Sequence, residues 1–223
     1  MRRLRTSLVI VMCIAVISGG CASMNKSSKG AVIGTAAGGA LGAVVGKVTG
    51  NTALGAVVGA AVGGTTGAII GHKMDKQAEE IKEAVPDANV QRVGEGITVE
   101  FSSAVLFALN KSNLSDEART NLDKLVTVLN TYPDTNIEVQ GHTDDSGTEA
   151  YNQTLSEKRA AAVSDYLATK SIAAGRITTK GYGELAPKYD NATADGKTGN
   201  RRVEFVITAN EKMVADAEKE AAK

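Results

Sequence analysis

The sequence predicts an α+β domain of strand order β-α-β-α-β-β, preceded by a targeting segment and a glycine-striped helical hairpin. Three observations lead there. Short alternating, β-branched runs interleave with two helix-periodic runs after residue 87. Glycines recur every four residues between 30 and 71. Charge is strongly segregated. Residues 1–74 hold seven basic groups and no acid, leaving 18 basic and 25 acidic groups, net −7, for residues 75–223. The whole chain of 223 residues sums to zero, which argues against a nucleic-acid binder, since those carry a basic excess.

The first element is a targeting segment over residues 1–20. Arg2, Arg3 and Arg5 form a basic start, and Leu8–Ile17 is an apolar run too short to span a bilayer. Ser18, Gly19 and Gly20 are small, and Cys21 follows. Cys13 would leave with the peptide, so Cys21 would be the only cysteine of the mature chain and could not pair within it. The segment resembles the lipobox of bacterial lipoproteins, with Ser18 where an aliphatic residue is usual. That resemblance implies cleavage before Cys21 and acylation of its thiol. Ala22 after it implies the outer membrane. A simple secretory peptide cut near Cys21 is the plainer alternative. Residues 21–29 form a polar tether.

The second element, residues 30–73, is a duplication. Gly30–Lys47 (GAVIGTAAGGALGAVVGK) and Gly55–His72 (GAVVGAAVGGTTGAIIGH) agree at ten of eighteen positions. Glycines at i, i+4, i+8 leave one helical face without side chains, and two such faces pack at backbone contact. Eighteen residues reach about 27 Å, just short of a ~30 Å hydrocarbon core. A membrane hairpin turning at Val48–Leu54 is therefore expected, resembling the glycine-zipper segments of envelope proteins. A flexible linker and a soluble helical pair docked on a partner are the two alternatives. The stripe also offers a contact to a second copy of the chain.

Met74–Val85 carries Met74, Ala78, Ile81 and Val85 in a helical stripe, and Pro86 stops it. It reads as an amphipathic linker helix over 74–86, with the domain boundary near Pro86–Asp87. In the domain, residues 87–209, Ile97–Phe101 (ITVEF) is a strand. Ser115 caps a helix to about Tyr132, stopped by Pro133. Asn136–Gly141 is a strand, Leu155–Lys170 a helix, and Arg176–Gly183 and Arg202–Thr208 are strands. One sheet with helices on one face follows. Asp190–Gly196 reads as a solvated turn, because Ala192 and Ala194 fall where a calcium loop needs oxygen. Residues 210–223 read as a loose terminal helix.

Three blocks carry chemistry: Gly141–Ala160 (GHTDDSGTEAYNQTLSEKRA), Gly181–Glu184 (GYGE) and Asn200–Phe205 (NRRVEF). Together they resemble the OmpA-like peptidoglycan-binding domain, over about residues 95–208. The full layout resembles YiaD-type outer-membrane lipoproteins with a glycine zipper. The resemblance implies an OmpA-like sandwich that binds the diaminopimelate of peptidoglycan stem peptides without covalent chemistry. It places the ligand's amino group on Asp144 and its carboxylate on Arg159. Asn110, Thr143, Asn152, Leu155 and Arg202 match motif positions that line or brace the pocket. Ala108 stands where many members carry Asp.

The residues themselves support the pair. Asp144 follows a strand end, where loops carry function. Arg159 is expected in the first turns of a helix, and its guanidinium suits a carboxylate. A purely structural Asp144–Arg159 ion pair is the alternative. His142 with Asp144, Asp145 and Glu149 lacks metal-ligand spacing, so a buried hydrogen bond is expected of it. No nucleophile–base set, phosphate loop or zinc spacing appears. The expectation is a binding protein, not an enzyme, with no cofactor and no metal, lipid-anchored in the outer membrane with its domain in the periplasm. An oligomeric membrane assembly built by the zipper and a cell-wall hydrolase are the other two readings.

Overall fold

The computed structural model describes residues 64–108 and 110–223. The expected signal peptide, Cys21, the tether and residues 30–63 of the hairpin lie outside the described residues. The described chain runs α1 Gly64–Ala84, β1 Asn89–Val93, β2 Gly96–Ser102, α2 Ser103–Leu106, α3 Asp116–Thr131, β3 Thr135–Gly141, α4 Glu149–Thr169, a 3-10 turn Ala174–Arg176, β4 Ile177–Gly181, α5 Ala194–Asn200, β5 Arg202–Ala209 and α6 Glu211–Ala221. One five-stranded sheet has the order β1-β2-β5-β3-β4. Only β3 and β4 pair in parallel, joined by the α4 crossover. The α+β sandwich expected from the sequence is what forms.

Alternation builds the core. Ile97, Val99 and Phe101 of β2, Val203, Phe205 and Ile207 of β5, and Ile137 and Val139 of β3 are buried in register. The helices bring Leu122, Leu125 and Leu129 of α3 and Val163 and Leu167 of α4 against them. Ser115 caps α3 as expected, its hydroxyl accepting from Ala118 N at 3.0 Å. The other sheet face is polar. The chain between residues 182 and 200 folds over it, with Lys188 Nζ on Glu100 at 2.6 Å and Arg202 Nη2 on Ala186 O at 3.3 Å.

Five elements differ from the sequence expectation, four of them within the domain or at its end. Strand β1 is additional: NVQRV is an edge strand with little apolar pattern, held by the two-residue turn at Gly94, whose φ of +59° suits glycine. Helix α4 starts at Glu149, six residues before Leu155, because Thr148 caps it by accepting from Tyr151 N at 3.3 Å. The expected turn at Asp190–Gly196 runs into helix α5. Two glycines mask its propensity, yet Gly196 and Gly199 are needed there: a Cβ would lie 2.0 Å from Asp190 O and 2.5 Å from the Tyr189 ring. The C-terminal helix is docked, burying Met213 and Ala217.

Helix α1 differs most. It crosses the expected junction at residues 73 and 74 without a break, so residues 64–73 continue into the expected linker. Ile70, Met74, Ala78 and Ile81 lie in the domain core, and α1 packs on α3, α6 and β1. Arg92 Nε bonds Asp75 at 2.7 Å and Tyr132 Oη bonds Glu80 at 2.7 Å. The amphipathic stripe is the sequence's own signal; what it covers is the same core that Pro86 was expected to delimit.

Ile81→Ala is therefore expected to destabilise the domain by about 2–5 kcal/mol in denaturant unfolding. Lys76→Ala, on the exposed side of the same helix, is expected to change stability by less than about 0.5 kcal/mol. A free linker would show equal, negligible effects.

Candidate ligand-binding site

The site forms where β3 ends. His142 N donates to Arg202 O at 3.0 Å and Thr143 N to Gly183 O at 2.9 Å, so the loop His142–Asp144 is stitched to β5 and to the chain after β4. Helix α4 lies directly over this end: a Cβ at Gly141 would sit 2.2 Å from Ser156 O. Asn152, Leu155 and Arg159 follow at helical spacing on that helix.

Asp144 is 6 % exposed. Its Oδ1 accepts from Ser146 N at 3.0 Å and its Oδ2 from Arg201 Nη1 at 2.5 Å. Burial alone would raise its pKa, but Arg201 and Ser146 together hold it below the ordinary carboxylate value. Asp144 is therefore an anion at neutral pH.

Arg159 is 4 % exposed and has no carboxylate within ion-pair distance among the described residues. Its Nε donates to Lys111 O at 3.0 Å, and its guanidinium lies 5.2 Å from the centre of the Phe107 ring. Burial pulls its pKa down, while Tyr151 and Asp144 push it up. A guanidinium stays charged through such shifts. Arg159 stands ten residues after the first residue of α4, so the helix N-terminal amides do not flank it, contrary to the sequence expectation.

The remaining expected residues divide. Asn152 is buried and donates to Asp144 O at 3.2 Å and to Glu184 Oε2 at 2.5 Å. Thr143 is buried, its hydroxyl unpartnered among the described residues. Asn110, at φ +56°, sits in the turn closed by Lys111 N on Ala108 O, the turn that presents Lys111 O to Arg159. Leu155 is half-buried. Arg202 is engaged elsewhere: fully buried on the polar sheet face, its Nε lies 2.6 Å from Glu204 Oε1. No direct Asp144–Arg159 ion pair forms; the partner of Asp144 is Arg201.

Arg201 and Glu184, within the NRRVEF and GYGE blocks, lie at the site beyond the residues expected from the sequence. Strand parity could have found Arg201. Arg202 and Glu204 alternate in phase on β5, so the residue just before the strand is out of phase with that pair. Thr198 Oγ1, 2.9 Å from Arg201 Nη2, steadies it.

His142 departs from expectation. It is fully buried, stacked on Tyr182 with centroids 5.1 Å apart, and neither ring nitrogen has a hydrogen-bond partner among the described residues. Burial first, then Arg202 and Lys188, hold its pKa well below the ordinary value. Glu204 Oε1 lies 3.9 Å from Nε2.

Residues 106–201 match the OmpA family, and residues 1–75 match the YMGG-like Gly-zipper. The chain is 42 % identical over 128 residues to outer membrane porin F of Pseudomonas aeruginosa, covering 56 % of this chain and 36 % of that protein. It is 34 % identical over 140 residues to the "Probable lipoprotein YiaD" of Escherichia coli, covering 62 % of this chain and 64 % of that one. It thus spans about a third of porin F and just under two thirds of YiaD.

A solved MotB-like protein from Desulfovibrio vulgaris aligns with 26 % identity and a TM-score of 0.59, over 63 % of this chain and 94 % of that one. The cell wall anchor of the T6SS from Pseudomonas aeruginosa aligns with 28 % identity and a TM-score of 0.54, over 61 % and 97 %. Residues 106–201, within the described sheet-and-helix domain, are OmpA-like. The protein joins that domain to a YMGG-like Gly-zipper segment.

Acid is expected to weaken this fold through His142. The unfolded His takes a proton near pH 6.5 and the folded one resists it, so stability falls as pH drops below about 6.5. His142→Phe, which keeps the stack but cannot titrate, is expected to flatten that part of the stability–pH curve. A curve unchanged by the substitution would count against the account.

Proposed function

We propose that this domain holds peptidoglycan without covalent chemistry, through the zwitterionic head of stem-peptide diaminopimelate. The observation that carries it is Arg159: a buried guanidinium with no carboxylate partner among the described residues, near an ionised Asp144. A buried charge is costly unless paired. A ligand carboxylate supplies the pair for Arg159, and a ligand ammonium meets the anion of Asp144. Arg201 keeps Asp144 ionised while the site is empty and adds a second cation for the ligand carboxylate. The unpartnered Thr143 hydroxyl offers one further contact. The family of the domain and the cell-wall anchor among its structural relatives support the same reading.

The proposal extends to the chain's front end. Cys21 is acylated and holds the protein at the outer membrane, with the domain in the periplasm, so that the protein ties envelope to wall. The likeness to a protein named as a lipoprotein supports this. The glycine-zipper segment packs against the membrane or against a second copy.

Two experiments decide. In sacculus pull-downs, Asp144→Ala and Arg159→Ala are each expected to lower retention by at least about tenfold, with Arg159→Lys only partly restoring it. Unchanged retention in both alanine variants would sink the site. Separately, Cys21→Ser is expected to abolish incorporation of labelled palmitate and to release the protein from the membrane fraction. Label persisting in that variant would refute acylation at Cys21.

A further inference from the structure

Large apolar side chains reach solvent at Tyr151, 48 % exposed, at Leu185 and at Tyr189. Of these, Tyr151 shares helix α4 with Arg159. It stands in the first turn, over the bend at Gly147, where a Cβ would meet the ring edge at 3.4 Å. Tyr151 immediately precedes Asn152, whose side-chain amide donates to Asp144 O at 3.2 Å, so its ring stands beside the loop that carries Asp144. An aromatic surface half open to water therefore adjoins the polar grip.

The grip itself is indifferent to what the ligand's head is attached to. An ammonium and a carboxylate on one carbon look alike in alanine, norleucine and diaminopimelate. In diaminopimelate that carbon carries three methylenes, an apolar chain that leaves the grip and gains by leaving water. Discrimination by chain needs an apolar wall beside the grip. We propose that Tyr151 is the specificity-determining residue of the site, its ring covering the methylene chain of the bound amino acid. The inference rests on the Asp144–Arg159 reading and goes beyond it, because the charged pair alone predicts no preference for chain length.

The test is calorimetric titration of the full-length protein with three probes: meso-diaminopimelate, D-norleucine and D-alanine. D-norleucine carries the chain without the second head. The wild-type protein is expected to bind diaminopimelate and norleucine about tenfold or more tightly over alanine, from burial of the chain. Tyr151→Ala should bring norleucine and alanine within about twofold of each other. Tyr151→Phe should retain the preference, since the ring and not the hydroxyl supplies it. Tyr151→Ala keeping the preference would overturn the proposal. So would equal weakening of all three probes, which marks a residue acting through Arg159. A different failure belongs to the grip: if the wild-type protein binds none of the probes, or binds them undiminished in Asp144→Ala and Arg159→Ala, the Asp144–Arg159 reading falls and this proposal with it.

Discussion

The architecture of the site depends on one close approach, that of helix α4 to the ends of β3 and β4. Gly141 and Gly181 sit under it, where a Cβ would collide with Ser156 O at 2.2 Å and with the Glu157 side chain at 2.5 Å. Ser156 Oγ then accepts from Gly183 N at 2.9 Å, locking the following loop to the helix. With the helix this low on the sheet, Asn152 reaches the Asp144 carbonyl and Arg159 reaches the Lys111 carbonyl. Tightly packed interiors are stiff and transmit small displacements. A helix pushed outward would separate the cation from the anion of the candidate site.

Electrostatics around that contact are arranged on two levels. In the site, Asp144 has Arg201 while Arg159, among the described residues, meets a carbonyl and an aromatic ring, so cationic charge is in excess there. Behind it, on the polar sheet face, Arg202 with Glu204 and Lys188 with Glu100 are paired at 2.6 Å each. Adjacent arginines thus do different work. One sits inside a closed ion pair of the scaffold, and the other stands 37 % exposed at the mouth of the site. His142 lies between the two levels, neutral, where another positive charge would face Arg202 and Lys188.

Helix α1 ties the front of the chain to this frame. Its buried stripe from Ile70 to Ile81 joins the core that α3 and the sheet build, and α6 packs along it. Glycine-zipper matching continues to residue 75, inside this helix. Residues 64–75, the last part of the zipper match, therefore share one helix with the start of the globular domain.

Period and punctuation are local properties, and they made much of this protein legible beforehand. The 2.0 period of ITVEF and RVEFVIT, the cap at Ser115 and the stop at Pro133 located strands and a helix, because neighbouring residues alone set them. The blocks GHTDD, GYGE and NRRVEF drew attention to the end of β3, where Asn152 donates to Asp144 O and Arg159 to Lys111 O. Other features depend on contacts distant in sequence. Strand β1 exists because β2 offers it an edge, and α5 because Asp190 and Tyr189 close on its glycines. Helix α1 belongs to the core because the sheet and α6 receive its stripe. The partner of Asp144 is Arg201, 57 residues away, rather than Arg159. A side chain's partner is chosen by distance in space, and only the packing of α4 on the sheet brings those distances into being.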